Sequence, residues 1–393
     1  MTGYRRVREA LEGRPPDRVP RGEFRMAGVL VRALLGGHAR PLPAGGPGRW
    51  QAEEEALRLL GADMVGVPVP SLPPPGPRAV AAAWPPAGSA AGDSPPLIAP
   101  VEPAPHSSWI QEIAHWAGRD LFVWAVVDGP WQGLAGLLGW SQALLLLTGA
   151  HRRPRSDGSD SGLGDAGSEL GEAGSSSGHV GSGLGDADSW WEDADSWWED
   201  ADSWLGDADT LLLVQLDRVL GQVAQALAAG ADGIVMGEDL AYTGGLLLSP
   251  RVVRHRLRPL WAEVAARCRT ARTARGDIPL LVFHSDGAVA PLLADIAAAG
   301  FHGLHSLEPE AGMDVARLVG MWRGRLGLLG GLSVDLLSRG TPEAVVREAM
   351  RLARAARDGG LVVGTSSGLV PEGVSPANLV AAYRALDIHA MRE

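Results

Sequence analysis

The second half of the chain alternates short apolar runs with longer stretches of helical periodicity. Residues 233–238, 279–284, 303–308, 326–332 and 361–365 have the length and composition of strands. Helical patterns separate them at 251–269, 288–299, 315–321 and 342–357, and a last one covers 376–386. These apolar runs lack the one-sided alternation of a half-solvated sheet, which is the pattern of strands covered on both faces. Earlier strand candidates at 63–69, 121–128 and 22–26 bring the number to eight, the number a closed (β/α)8 barrel requires. The expected fold class is therefore α/β, a TIM barrel. An open doubly wound sheet is the rival, but no Gly-x-Gly-x-x-Gly follows an early strand.

The polar residues reinforce the barrel. Each late strand runs into a polar cluster: Glu238-Asp239, His284-Ser285-Asp286-Gly287, Glu308-Pro309, Ser333-Val334-Asp335 and Thr365-Ser366-Ser367-Gly368. A barrel puts every strand C-terminus on one rim, so these groups are expected to converge there as an active site. Strand starts carry no such clusters. His284 closes an apolar strand and Glu308 sits in an apolar context where an unpaired carboxylate is costly, so both are expected in the site. Asp286-Gly287 also has a plain reading as a turn. His302 and His305 flank one strand and are expected to be structural or at the surface, and Cys268 to be inert packing.

Between the two patterned parts the chain changes character. Residues 1–150 form the N-terminal part of the barrel, interrupted by a Pro-rich tract at 68–105 that reads as a surface loop. Residues 210–393 form the C-terminal part. Residues 151–209 are a low-complexity acidic insertion, first Gly/Ser/Asp-rich and then repeating Asp-Ala-Asp-Ser-Trp-Trp-Glu. The repeat would put Trp190, Trp197 and Trp204 on one helical face, a docking surface for a partner. The plainer expectation is a slippage-expanded loop, because so many acids bury little.

Charge must be read with that insertion in mind. The formal net charge is −11, yet residues 157–209 alone hold fifteen acids, so the rest of the chain is mildly basic. No concentrated basic stripe marks a nucleic-acid binder. No run of 18 or more residues is uniformly apolar, and no apolar segment follows the basic N-terminus, so neither a membrane span nor a signal peptide is expected. One cysteine allows no internal disulfide and no multi-thiolate zinc site, in keeping with a cytoplasmic protein. There is no lysine, which excludes a Schiff-base lysine mechanism.

Several further motifs stand out along the chain. They are Leu-Val-Phe-His-Ser-Asp-Gly at 281–287, Ala-Gly-Phe-His-Gly-Leu-His-Ser-Leu-Glu-Pro at 299–309 and Ala-Gly-Met-Asp at 311–314. Leu-Leu-Gly-Gly-Leu at 328–332, Gly-Thr-Pro-Glu at 340–343, Gly-Ala-Asp-Gly-Ile-Val at 230–235 and Glu-Asp-Leu-Ala at 238–241 stand out as well. So do Leu-Ser-Pro at 248–250, Pro-Asp-Arg-Val-Pro at 16–20 and Gly-Pro-Trp at 129–131. Together these motifs resemble the uroporphyrinogen decarboxylase superfamily, and the resemblance covers most of 4–148 and 210–390 and implies the same barrel. It implies one of two activities. The first is cofactor-free decarboxylation of a tetrapyrrole in haem biosynthesis. The second is zinc-assisted methyl transfer or demethylation with a corrinoid protein as partner.

For a decarboxylase, the resemblance implies a substrate-gripping Arg25 in Phe-Arg-Met-Ala-Gly-Val at 24–29, with Trp131 and Ser333 beside it. Catalytic roles would fall to Asp239, His284, Asp286 and Ser367. The chain departs from that pattern where Val29 replaces a second arginine and Val67-Pro68 replaces a pyrrole-binding aspartate. A leucine near Leu137 stands for a tyrosine, and Ser367 for a late histidine. For a methyltransferase, His284 matches the first zinc ligand, Asp286 occupies the place of a cysteine, and the third ligand falls among residues 365–367. Oxygen donors can take over such a set, so His284 with Glu308 and Glu238, or with Asp239, is the expected metal site. Dimerisation through the barrel mouth would be consistent with the family. A non-catalytic binding barrel and a metal-dependent barrel chemistry of another kind stay open beside these readings.

Overall fold

A computed structural model describes residues 1–36, 42–43, 45–71, 108–148 and 208–390. The Pro-rich tract beyond residue 71 and almost all of the acidic Trp-repeat insertion lie outside the described residues. The insertion ends slightly earlier than its composition implies. Asp209 already belongs to the helix Ala208–Ala229, where a carboxylate in the first turn suits the positive end of the helix dipole.

The strands in chain order are β1 (Arg25–Met26), β2 (Met64–Pro68), β3 (Phe122–Asp128), β4 (Gly233–Gly237), β5 (Ala241–Tyr242) and β6 (Gly245–Leu246). They continue with β7 (Leu280–His284), β8 (Gly303–His305), β9 (Gly327–Leu332), β10 (Leu361–Thr365) and β11 (Leu369–Val370). Seven of them form one parallel sheet in the order β10-β9-β8-β7-β4-β3-β2. The sheet curls until its two edges are joined by the segment before β1. Arg21 bridges Val363 of β10 and Gly22 bridges Met64 of β2, both parallel. Gly22 N–H donates to Val363 at 3.0 Å, and Gly66 N–H donates to the Phe24 carbonyl at 2.9 Å. The stretch expected as a strand at 22–26 thus closes the barrel as its eighth stave, joining the two edges of the seven-stranded sheet.

Most expected elements match to within a residue or two. The last helix runs on to Ala390 and the first strand is confined to Arg25–Met26, and β8 stops at His305 because Leu307 adopts a left-handed φ of 68° and turns the chain away before Glu308. The helical pattern at 251–269 is one continuous run, Pro250–Val252 and Arg258–Thr270, joined by a π turn at Val253–Leu257. Pro259 has no N–H to give the preceding turn, and the ladder widens just ahead of it.

Two apolar regions fill the molecule. Outward-facing strand residues such as Val65, Ala125, Ile234, Leu281 and Leu328 pack against the surrounding helices. The barrel interior holds Phe24, Met64, Phe122, Trp124, Val235, Val282, Leu329 and Val362, and its floor is the helix Gly3–Leu11, whose Tyr4, Val7, Ala10 and Leu11 join that cluster. The Ala10 carbonyl accepts from Gly360 N–H at 2.7 Å, fixing the helix across the N-terminal ends of the strands. The helix Ala208–Ala229 is long and apolar enough to cross a membrane by length and composition. It packs against β3 and the helices Ser108–Trp116 and Pro130–Leu138, with more than half of its most apolar window buried.

Candidate functional site

With the floor sealed, polar chemistry collects at the opposite end of the barrel. His284 is the last residue of β7, and its strand position turns its ring into the barrel mouth above Val282. Its Nε2 lies 3.7 Å from Asp239 Oδ1 and 3.9 Å from Asp286 Oδ1. One ligand atom from each of Asp239, His284 and Asp286 falls within 4.8 Å of the others. Asp286 Oδ1 is buried yet has no hydrogen-bond partner among the described residues. Asp239 Oδ1 also accepts from the Asp286 backbone N–H at 3.1 Å, which locks the two loops together.

Further carboxylates ring the cluster. Asp128 ends β3, accepts from the Ser71 hydroxyl, and has its pKa raised by burial and by the neighbouring charge of Asp239. Asp239 is pushed up by burial, then by Asp286, against the opposing pull of His284. Glu308 accepts from Gly287 N–H at 3.0 Å, and burial together with Asp286 raises its pKa. Gly287 has a φ of 81°, and a Cβ there would meet the Tyr242 backbone at 2.5 Å. Glycine is what lets the β5–β6 hairpin pack against the rim.

On its far side His284 meets a second histidine. Its Nδ1 lies 2.7 Å from Nδ1 of His305, its direct partner in the β7–β8 register, and the rings stack with centroids 4.9 Å apart. His305 is buried, and desolvation holds its pKa well below the usual histidine value. The sequence pattern places His305 outside the site, yet it is the nearest neighbour of His284. The signal for it is its place at the end of β8, equivalent to that of His284 on β7. Asp128 also ends a strand, and the same signal covers it, though the polar clusters of the late strands overshadow it. His302 behaves as expected: its Nδ1 accepts from Leu281 N–H at 3.0 Å at the other end of β8.

Several expected site residues do other work. Glu238 is fully buried, with Oε1 accepting from Trp261 Nε1 at 2.8 Å and Oε2 from Gln132 N–H at 2.9 Å. Both oxygens are committed away from His284, so Glu238 braces the rim and is not a ligand beside it. Trp131 is fully buried as well, and its indole N–H donates to the Asp239 carbonyl at 2.8 Å. It positions Asp239 and offers no surface to a substrate. The Gly-Pro-Trp motif at 129–131 therefore serves to tie the start of the helix Pro130–Leu138 to the end of β4. Arg25 turns outward, bonds Glu112 and lies 3.6 Å from Glu53, because strand alternation gives the inward position to Phe24. Ser333 caps the helix Val334–Arg339, accepting from Leu336 N–H at 3.0 Å while donating to Glu310. The Ser367 hydroxyl donates to the Leu369 carbonyl at 2.9 Å. The loop that carries it still reaches the site, since a Cβ on Gly368 would lie 3.8 Å from the His284 ring.

A closed parallel barrel with a histidine–carboxylate cluster on its strand-end rim defines the class: an α/β barrel with its site in the position typical of barrel enzymes. The family model of uroporphyrinogen decarboxylase (URO-D) matches residues 204–387, a little under half of the chain. The matched segment carries Asp239, His284, Asp286 and His305 but neither Arg25 nor Asp128. Among solved structures, the chain is similar to a methyltransferase from Methanosarcina mazei. The identity is 18%, with 99% of each chain covered and a TM-score of 0.60, a likeness of fold. No curated protein matches the sequence.

Proposed function

We propose that the rim binds a divalent cation of the zinc class through His284 Nε2, Asp239 and Asp286, and that the protein is a metal-assisted methyltransferase of the URO-D superfamily. Its methyl group would pass between a corrinoid protein and a small thiol or ether. The observation that carries this reading is the donor set itself. One nitrogen and two carboxylate oxygens converge, one of those oxygens is buried without a partner, and the separations of 3.7 and 3.9 Å from Nε2 suit bonds of about 2.0–2.2 Å to one shared ion.

A bound zinc ion would supply Lewis acidity, polarising the atom that gives or takes the methyl group. The residues around it have their own tasks. Asp128, with its pKa raised by burial, stands beside the cluster where it can accept or return a proton. Trp131 and Glu238 keep the Asp239 loop in place, and Glu308 does the same for Gly287. The β5–β6 hairpin packs on one flank of the rim, against Gly287.

A second reading, decarboxylation of a tetrapyrrole, draws on the family model alone. It meets two obstacles. The groups around His284 are carboxylates, which repel a polyanionic substrate, and Arg25 is occupied by Glu53 and Glu112. The lone thiol, Cys268, is buried, consistent with a cytoplasmic home.

Metal analysis of the purified protein tests the proposal, together with assays on methylcobalamin plus a thiol and on uroporphyrinogen. One zinc per chain, lost in His284→Ala, with methyl transfer and no decarboxylation, is the expected result. Metal-independent turnover of uroporphyrinogen would overturn it.

A further inference from the structure

We propose that the cavity between the helices Pro130–Leu138 and Ala208–Ala229 is a binding site for a small molecule that carries a carboxylate. None of Asp239, His284 and Asp286 lines it, so the site stands apart from the cation cluster.

The cavity encloses about 280 Å³ and reaches the end of β3 at Asp128. One water takes about 30 Å³ of the liquid, so the space suits a small organic molecule better than a single solvent. Gln215, Arg218 and Gln222 border it from one face of the helix Ala208–Ala229, at the three- and four-residue spacing that aligns side chains. Two glycines on the facing helix make the room. A Cβ at Gly133 would meet Gln215 Oε1 at 2.7 Å, so glycine there lets the Gln215 amide lie close against the helix backbone. A Cβ at Gly136 would meet nothing within 4 Å.

The donors on the lining decide the ligand. Gln215 is 4% exposed, and its Nε2 is buried with no hydrogen-bond partner among the described residues. A buried N–H left unpaired is costly, and a ligand oxygen would satisfy it. One turn on, Arg218 borders the same space and sets a half-buried positive charge near that amide. Gln132, also on the lining, accepts from the Asp239 N–H through Oε1 at 3.3 Å, which leaves its amide nitrogen to donate. Gln222 is different, because its Nε2 already donates to the Pro70 carbonyl at 2.8 Å. Against these donors stands one carboxylate, Asp128, which accepts from Ser71. Two amide donors and a guanidinium favour an oxyanion over an ammonium group, since hydrogen bonds to a charged acceptor are the stronger ones. The oxyanion belongs at the Gln215–Arg218 side, with the rest of the molecule directed toward Asp128.

The test uses the full chain freed of metal by a chelator, so that no carboxylate can bind through zinc. Butyrate and its neutral counterpart butyramide are titrated and followed by ligand-observed NMR. Butyrate should bind at least about tenfold more tightly than butyramide. Gln215→Leu and Arg218→Gln should each weaken butyrate about tenfold, the loss of one hydrogen bond to a charged partner. Gly136→Leu fills the space at a helical position where leucine is favoured over glycine, and it should abolish binding. His284→Ala, outside the cavity, should bind butyrate as the wild type does. Equal binding of butyrate and butyramide, no binding of butyrate by the wild type, or wild-type binding by Gly136→Leu overturns the assignment. Butyrate binding by a protein that takes no zinc would sink the cation site and uphold this one, and zinc uptake without butyrate binding would do the reverse. The comparison of butyrate with butyramide needs only wild-type protein, so it decides the matter even where a variant does not fold.

Discussion

The indole N–H of Trp261 donates to Glu238 Oε1 at 2.8 Å inside the wall of the barrel, with no water-exposed surface on the glutamate. Burial is the larger influence and pushes the Glu238 carboxyl up to about 8, despite the N–H donors that favour its charge. A folded-state pKa above the unfolded one means that stability is greatest below pH 4.5 and is lost as pH rises toward 8. Glu23, held by Thr365 and Tyr383 and raised to about 7, acts in the same direction. The melting temperature should therefore fall between pH 5 and 8, and Glu238→Gln should flatten the upper part of that decline. A thermal scan across pH that gives one slope for both proteins would contradict this.

The proposed ligand set and the one expected from sequence differ in a way metal retention can read. Asp239→Asn and Asp286→Asn should each weaken zinc binding at least as much as the about 10–100-fold typical of outer partners. Glu308→Gln should do less, because that carboxylate holds the Gly287 amide and lies outside the three-residue cluster. A Glu308 variant that loses zinc while Asp239→Asn keeps it would favour the other set.

Arg25 should prove structural. Arg25→Met leaves Glu112 without its ion-pair partner in a largely buried setting, while Glu53 keeps Arg49 at 2.6 Å, a loss of about 1–3 kcal/mol. Denaturant melts should register that loss, while KM of the folded fraction stays unchanged. A raised KM at unchanged stability would return Arg25 to the substrate.

Glycine 129 is pinned by what lies beside it. A Cβ there would meet the Glu238 carboxyl carbon at 2.4 Å, so Gly129→Ala should lower stability by about 1–3 kcal/mol. Gly136, in the helix that follows, is the control, since a Cβ there would meet nothing within 4 Å beyond its own helix. Gly136→Ala should be neutral or gain up to about 1 kcal/mol. Paired chemical denaturation separates the two.

Cys268 is fully buried and its thiol is pushed up to about 12 by burial. Native protein should not react with a thiol reagent at pH 8, whereas unfolded protein should expose one thiol per chain.

The barrel is readable in the sequence because helices and strands impose periods of their own, and burial on both strand faces leaves a recognisable apolar run. Even the faint strand at 22–26 is visible, although it bonds to both neighbours through isolated bridges rather than a long ladder. The convergence of Asp239, His284 and Asp286 is readable from strand ends alone. Side-chain direction is not. Glu238 and Asp239 are adjacent, and the strand end sends one into the wall and the other to the rim. Arg25 follows the inward Phe24 and so points out. His305 is harder to read, because the apolar run continues to 308 and hides that the strand ends at His305, level with His284.

The helix Gly3–Leu11 makes the barrel a cup rather than a tube. Among the described residues, the way to His284 runs past the β5–β6 hairpin and the loop at Gly368. If a small acceptor and a corrinoid protein meet here as proposed, the smaller would have to be seated before the larger settles over the opening, and binding would run in a fixed order.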